Sequence, residues 1–133
     1  DQGIMFGFAS NETPDFMPLT IWLANKIIAK LEFDRKNNIV SFLRPDAKSQ
    51  VTVEYDANNK PVRIDTVVLS TQHSPNVDTL KINEYVIDDL IPNLLANMPS
   101  NIADFVMLYD SRLTEFAKLR LSSSNNFLSI STF

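Results

Sequence analysis

A carboxylate and an ammonium group lie two residues apart in the heptapeptide Arg44–Gln50, which also contains a proline. Pro45 fixes its own φ and restricts Arg44 to extended backbone, so no helix can run through this segment. Side chains two residues apart in extended backbone point to the same side, which places Asp46 and Lys48 together. Such a pair can accept hydrogen bonds through the carboxylate and bind an anionic group through the ammonium. The same residues are also typical of an ordinary exposed turn with solvated charges.

The residues that follow predict a strand that holds this turn in place. Val51, Val53 and Tyr55 alternate with polar residues, which is the pattern of a half-buried strand. A second strand is predicted over Val62–Thr71, and the polar segment Asp56–Pro61 between the two predicts a β-hairpin. The candidate polar pair therefore precedes the first strand of a hairpin.

Two amphipathic helices are predicted on either side of this hairpin, over Pro18–Lys36 and over Thr79–Ile91, the second stopped by Pro92. The apolar run Ile4–Ala9 predicts a strand before the first helix, and Phe105–Tyr109 is a weaker candidate strand after the second. The order is thus β-α-β-β-α, with a further strand allowed. It predicts an α+β fold, with a mixed β-sheet and two amphipathic helices packed on one face.

Composition limits the classes of function. The chain has 133 residues, 44% hydrophobic and 21% charged, which suits a globular fold with its own core. A net charge of -4 and a pI of about 4.8 give no electrostatic reason to expect a nucleic acid or an anionic membrane as partner. The absence of cysteine excludes thiolate chemistry and fits a reducing compartment, and we expect a cytoplasmic protein. Only two glycines are present, which excludes a glycine-rich phosphate loop.

Three stretches, taken together and in this order, resemble the central domain of S-adenosylmethionine synthetase (methionine adenosyltransferase). The first comprises Asp1–Ala9 with the short motifs Asn11–Thr13 and Met17–Pro18. The second is Leu43–Thr52, which is similar to the segment of that family that contacts ATP. The third is Val67–His73. The combination is far more specific than any one of the stretches.

The resemblance implies a reaction. Members of this family join ATP and L-methionine, with the methionine sulfur displacing triphosphate from the ribose 5′-carbon, and then hydrolyse the tripolyphosphate to phosphate and diphosphate. A thioether sulfur has no proton to lose, so the first step needs no general base. It needs in-line positioning of the reactants and neutralisation of a polyanionic leaving group.

The resemblance also implies roles for individual residues. Asp46, Ala47 and Lys48 match the ATP-contacting segment, with Lys48 as the catalytic cation for phosphate oxygens and Asp46 as an acceptor for the ribose hydroxyls. Asp1 matches a family aspartate of the methionine and adenosine pocket, where a carboxylate can pair with the substrate ammonium. The family's cofactors are Mg²⁺ and K⁺, and no metal ligand is assigned within this chain.

The resemblance covers about residues 1–95 and lacks several family motifs. The Gly-Ala-Gly sequence before the first aspartate and the upstream His-Pro-Asp-Lys motif are missing, because the chain begins at Asp1. The later Asn-Pro-x-Gly-Arg-Phe and Gly-Leu-Thr-Gly-Arg-Lys motifs are also not found. We therefore expect a fragment of a longer protein, with residues 1–99 similar to the central domain and residues 100–133 forming a divergent tail of uncertain fold.

Three hypotheses follow. The favoured one is a fragment that supplies part of an ATP and methionine site and is inactive alone. The alternative is a non-catalytic family member or assembly module that pairs with a complete subunit through its sheet, and the third is an unrelated α+β binding domain. Strict alternation in the second hairpin strand places Val67 and Leu69 opposite Ile64 and Val68. It thus predicts an apolar second face that pairs with another subunit of the family.

Overall fold

The computed structural model describes residues 2–97 and 128–131. Its elements are, in order, α1 (Leu19–Lys36), β1 (Leu43–Tyr55), β2 (Pro61–His73), α2 (Thr79–Glu84), a π-helical segment (Tyr85–Leu90), α3 (Ile91–Ala96) and β3 (Leu128–Ser131). The predicted α+β class is confirmed. The described strands form one sheet in the order β1-β2-β3, and both of its pairings are antiparallel.

The predicted hairpin forms between β1 and β2. Its turn is closed by the backbone N–H of Asp56, which donates to the carbonyl oxygen of Lys60 at 2.8 Å. The Asp56 carboxylate accepts from the N–H groups of Asn58 and Lys60 at 2.8 Å. These hydrogen bonds, with that of Lys60 the strongest, hold the pKa of Asp56 below its usual range. Asn59 takes a φ of 57°, a conformation that asparagine tolerates better than most residues.

The first strand begins earlier than the alternation predicts, because β1 includes the proline-containing segment. Leu43 pairs with His73 and Ala47 pairs with Thr71, so three residues of β1 span a gap that a single residue, Gln72, spans in β2. The predicted turn is therefore a bulge within a longer strand. Pro45 lacks an N–H donor, and a bulge is one of the few places in a sheet that accepts such a residue.

One apolar core joins the helices to one face of the sheet. Leu23 and Ile27 of α1 are fully buried, as is Leu90 of the π-helical segment. Val51 of β1 and Leu69 of β2 complete the same cluster from the sheet. Both predicted helices thus contribute to this core. None of the helices in the described part of the chain combines the length and the hydropathy needed to cross a membrane.

The second helix is longer than predicted and is not uniformly α-helical. The prediction ended it at Ile91 because Pro92 follows, yet α3 continues to Ala96. Pro92 lies directly after the junction of the π-helical segment with α3, so its missing N–H falls where the hydrogen-bonding period changes. The π-helical segment Tyr85–Leu90 precedes it and changes the hydrogen-bonding period just before the proline.

The strand predicted over Ile4–Ala9 is wrong, since residues 2–10 have no regular secondary structure. The large side chains of this segment are 81% to 96% exposed, namely Ile4, Met5, Phe6 and Phe8. An apolar run becomes a strand only when a neighbouring strand accepts its backbone hydrogen bonds. No described strand lies beside it in the sheet. The sequence pattern was therefore correct about hydrophobicity and incorrect about pairing.

The candidate strand Phe105–Tyr109 and most of the tail 100–133 lie outside the described residues. Within that tail, β3 is described, and it was not predicted. It pairs antiparallel with β2, with Leu128 opposite Leu69 and Ser131 opposite Thr66. The alternation of Leu and Ile with Ser over residues 128–131 is a strand signal, but four residues are too short for it to stand out.

The predicted apolar second face of the sheet is wrong, because β2 carries a bulge. Thr52 pairs with Thr66 but Val53 pairs with Ile64, so Asp65 is an extra residue. An extra residue reverses the alternation beyond it, and Leu69 consequently lies in the same core as Ile64. Val67 is also buried and lies on the same face of the sheet as Leu69. The opposite face is mainly polar, with the half-buried Val68 as an exception.

This correction changes the expected effect of Leu69→Lys. A lysine at this buried position would either bury a charged ammonium group or disrupt the packing of the core. We therefore expect the free energy of unfolding to fall by about 3 kcal/mol or more. The matched variant Val68→Lys, on the opposite face, should change it far less. Urea denaturation followed by circular dichroism checks both. Unchanged stability of Leu69→Lys, with weakened self-association, would restore the apolar-face hypothesis.

Candidate functional site

The polar pair of the heptapeptide lies on the bulge of β1. Asp46 and Lys48 are both exposed, whereas Ala47 between them is half-buried and packs against the core. The carboxylate and the ammonium therefore project away from the core, on the side of the sheet that the helices leave open. The pair is accessible to a ligand, and the strand that carries it packs against the core on its other face.

Hydrogen bonds from Arg44 anchor the bulge. Its Nη1 donates to the carbonyl oxygens of Leu43 at 3.0 Å and Ser41 at 3.2 Å. Its Nη2 donates to Oγ of Ser74 at 2.6 Å, just beyond the end of β2. The backbone N–H of Ser74 in turn donates to the carbonyl oxygen of Phe42 at 2.9 Å. Two hydrogen bonds thus join the start of β1 to the end of β2 beside the bulge.

The register brings the second and third stretches of the resemblance together as neighbouring strands. Lys48 pairs directly with Ser70, and Gln72 is the single residue of β2 that spans the bulge. Leu69 and Thr71 are buried, so Ser70 and Gln72 lie on the open face with the polar pair. Sequence reasoning missed these two residues. The signal was their alternation with buried neighbours inside the third stretch.

Residues of the first stretch of the resemblance form hydrogen bonds that stabilise the fold. Oε2 of Glu12 accepts from the backbone N–H of Leu19, at the start of α1, at 2.8 Å and from the Tyr55 hydroxyl, at the end of β1, at 3.2 Å. Oγ1 of the buried Thr13 accepts from the N–H of Met17 at 3.1 Å and donates to its carbonyl oxygen at 2.7 Å. These contacts fix the loop before α1 to the sheet. Asp1, expected at the methionine and adenosine pocket, lies outside the described residues.

The Glu12–Tyr55 contact predicts a pH dependence of stability. Burial, then the charge of Glu12, raises the pKa of Tyr55 to about 12 in the folded chain, against about 10 when unfolded. A raised folded-state pKa contributes stability that is complete below pH 10 and is lost as the pH rises from about 10 to 12. The free energy of unfolding should therefore fall over this interval, and less steeply in Tyr55→Phe. Urea denaturation between pH 8 and 11.5 measures both slopes, and equal slopes would contradict the assignment.

The implied cofactors can be tested against the residues that are described. Within residues 2–97 and 128–131, no three His, Cys, Asp or Glu side chains lie close enough together to hold a metal ion. No metal ligand is therefore assigned among these residues. Next to the bulge, the open face carries the Lys48 ammonium, the Asp46 carboxylate and the side chains of Ser70 and Gln72. Together they can bind phosphate oxygens and hydroxyl groups of a ligand.

Comparison with known proteins agrees with these motifs. The family model for the S-adenosylmethionine synthetase central domain matches residues 1–111, beyond the end of the motif-based resemblance. An S-adenosylmethionine synthase of Streptococcus thermophilus is 58% identical over 91 residues, which are 68% of this chain and 23% of the relative. That of Streptococcus agalactiae is 53% identical over 104 residues, 78% of this chain and 25% of the relative.

A third relative gives the same result. The S-adenosylmethionine synthase of Streptococcus suis is 55% identical over 95 residues, 71% of this chain and 24% of the relative. The chain thus spans about a quarter of the length of these relatives. Since the family match covers most of the chain and includes all three motif stretches, the chain belongs to the S-adenosylmethionine synthetase family, in which it corresponds to the central domain.

Proposed function

We propose that this chain supplies the central part of an enzyme that forms S-adenosylmethionine from ATP and L-methionine, with release of phosphate and diphosphate. The observation that carries the proposal is the bulge in β1, which holds Asp46 and Lys48 exposed on the open face of the sheet. The family assignment supports it, because the relatives are named for this synthesis.

Lys48 is proposed as the catalytic cation of this part of the site. Its ammonium would bind oxygens of the triphosphate and offset the negative charge that grows on the leaving group as the sulfur attacks. Ser70 lies directly opposite Lys48 in the register and therefore adjoins the proposed phosphate position. No residue needs to act as a general base in this step, because the attacking sulfur carries no proton.

Asp46 and Ala47 are proposed to contact the nucleotide next to this cation. The Asp46 carboxylate can accept hydrogen bonds from ribose hydroxyls, and Gln72 on the adjacent strand has both donor and acceptor atoms for the same ligand. We propose Asp1 for the ammonium of methionine, on the resemblance alone. Mg²⁺ and K⁺ remain the proposed cofactors of the complete enzyme. A cytoplasmic location also remains a proposal.

The open face of a sheet cannot exclude water from a reaction by itself. The proposed site is therefore a half-site, completed by other parts of a synthetase and by a second subunit of the family. Four exposed apolar side chains, Ile4, Met5, Phe6 and Phe8, support association, because contiguous apolar surface of this kind is typical of an interface. They replace Leu69 as the basis for the proposed pairing.

A graft tests the proposed function. The matched 91-residue segment of the Streptococcus thermophilus synthase is replaced by the corresponding residues of this chain, and S-adenosylmethionine is quantified by chromatography. We expect the graft to be active and the isolated chain to give no product above a blank, since residues that act as a unit lose function together. A folded but inactive graft would favour the alternative, a non-catalytic module that pairs with a complete subunit.

A further inference from the structure

A pocket of about 210 Å³ lies behind the bulge, on the opposite side from the polar pair. α1 forms one wall with Ile28 and Leu31, and the start of β1 forms the other with Leu43, Pro45 and Ala47. These five apolar residues make up most of the two walls, and Thr71 of β2 also lines the pocket. Nothing in the proposed reaction uses it.

The rim of this pocket carries an excess of positive charge. Two guanidinium groups, of Arg35 and Arg44, line it together with one carboxylate, that of Glu32. Glu32 is already paired with Lys36 at 2.6 Å. Within the described part of the chain, neither Arg35 nor Arg44 has a carboxylate within salt-bridge distance, and the hydrogen bonds of Arg44 go to neutral oxygens.

We propose that this pocket binds a small amphipathic monocarboxylate, with the apolar body between α1 and β1 and the carboxylate on Arg35 and Arg44. A guanidinium fork matches a carboxylate with two parallel hydrogen bonds, and among the described residues no salt bridge occupies the Arg35 donors. The apolar walls exclude a ligand that is polar throughout, because such a ligand would lose hydrogen bonds to water on entering.

The volume of the pocket and the charges on its rim further restrict the ligands that can bind. At roughly 30 Å³ per water molecule, the pocket holds on the order of seven to ten non-hydrogen atoms, the size of hexanoate. A phosphate monoester would bring two negative charges next to the Glu32 carboxylate on the same rim, and is therefore disfavoured. A single negative charge meets the same two guanidinium groups with less repulsion from Glu32.

The occupant would touch the back of the proposed nucleotide site. Pro45 and Ala47 line the pocket, and Asp46 and Lys48 are their neighbours in sequence on the other face of β1. A bound carboxylate would thus stabilise one conformation of the bulge. This coupling rests on the proposed function, whereas binding in the pocket does not.

The test is a titration of the full ¹⁵N-labelled chain with sodium hexanoate, followed in ¹H–¹⁵N correlation spectra. We expect saturable shifts of the amides of Ala47 and Thr71 and of the Arg35 side chain. Hexan-1-ol, which has the same chain length without the charge, should bind at least about fivefold more weakly. Inorganic phosphate should leave these signals unchanged.

Variants distinguish binding in this pocket from nonspecific attraction of an anion to the positive charges of the chain. Arg35→Gln should weaken hexanoate binding about fivefold without changing that of hexan-1-ol, and Arg44→Gln should act in the same direction. Lys60→Gln, in the hairpin turn, removes the same charge at a distance and should have no effect. Equal affinity for hexanoate and hexan-1-ol, or shifts confined to the exposed apolar residues near Ile4, would overturn the proposal. So would equal loss of binding in Arg35→Gln and Lys60→Gln. None of these outcomes depends on synthase activity.

Discussion

In the active graft, replacing Lys48 by alanine should lower the rate of S-adenosylmethionine formation about 100- to 1,000-fold. This is the usual cost of removing one preorganised charge from a developing anion. Lys48 is exposed and is not part of the core, so the loss should arise in catalysis and leave folding intact. Steady-state kinetics with ATP and methionine at saturation measure the effect, and circular dichroism monitors the fold.

The control for this experiment is Lys60→Ala. Lys60 lies in the hairpin turn, at the other end of β1, and its loss removes the same charge from the chain. The rate should stay close to that of the unmodified graft. Normal turnover of Lys48→Ala, or an equal loss in both variants, would show that Lys48 has no specific role in charge neutralisation.

Patterns within a single element were sufficient to predict much of this fold. α1 begins within one residue of its predicted start and ends where predicted, because its apolar stripe is regular. The hairpin was predictable because two alternating segments flank a polar turn. The pairing of Lys48 with Ser70 was not, since it depends on how many residues the bulge adds to β1.

Features that depend on distant residues were predicted less well. Ile4–Ala9 has the composition of a strand, but a strand requires a partner, and no local pattern supplies one. The Asp65 bulge has the same origin, because one extra residue reversed the expected faces of Leu69 and Ile64. In each case the side chains were assigned the correct polarity and the wrong neighbours.

In the candidate site too, features set by local spacing were predictable and features that depend on distant residues were not. The proximity of Asp46 and Lys48 follows from their spacing, since extended backbone alone places them on one side. Arg44 was expected only to precede the proline, yet it joins both strands around the bulge. Its bond to Ser74 spans 30 residues of sequence, and neither residue type indicates the other.

A buried charge network, which no periodicity indicated, joins α1 to the second helical region. The Asp34 carboxylate is fully buried and accepts from Nζ of Lys30 at 2.5 and 2.6 Å, and from the Tyr85 hydroxyl at 2.6 Å. Burial, then the hydrogen bond to Asp34, raises the pKa of Tyr85 above its ordinary value. Tyr85 opens the π-helical segment and meets the ring of Phe42 edge-on, with centroids 6.0 Å apart. The network thus fixes the helices against each other at the start of the π-helical turns.

Replacing Asp34 by alanine should therefore cost about 3 kcal/mol in the free energy of unfolding, because it leaves an ammonium and a buried hydroxyl without their acceptor. Lys30 retains some access to water, which keeps the expected cost at the low end for a broken buried pair. Helix α1 offers a matched control, since Glu32 and Lys36 form a second pair with the same spacing, but exposed. Glu32→Ala should leave stability nearly unchanged. Urea denaturation of the two variants side by side measures the difference. Equal effects would mean that the Asp34 network contributes no more than a surface ion pair.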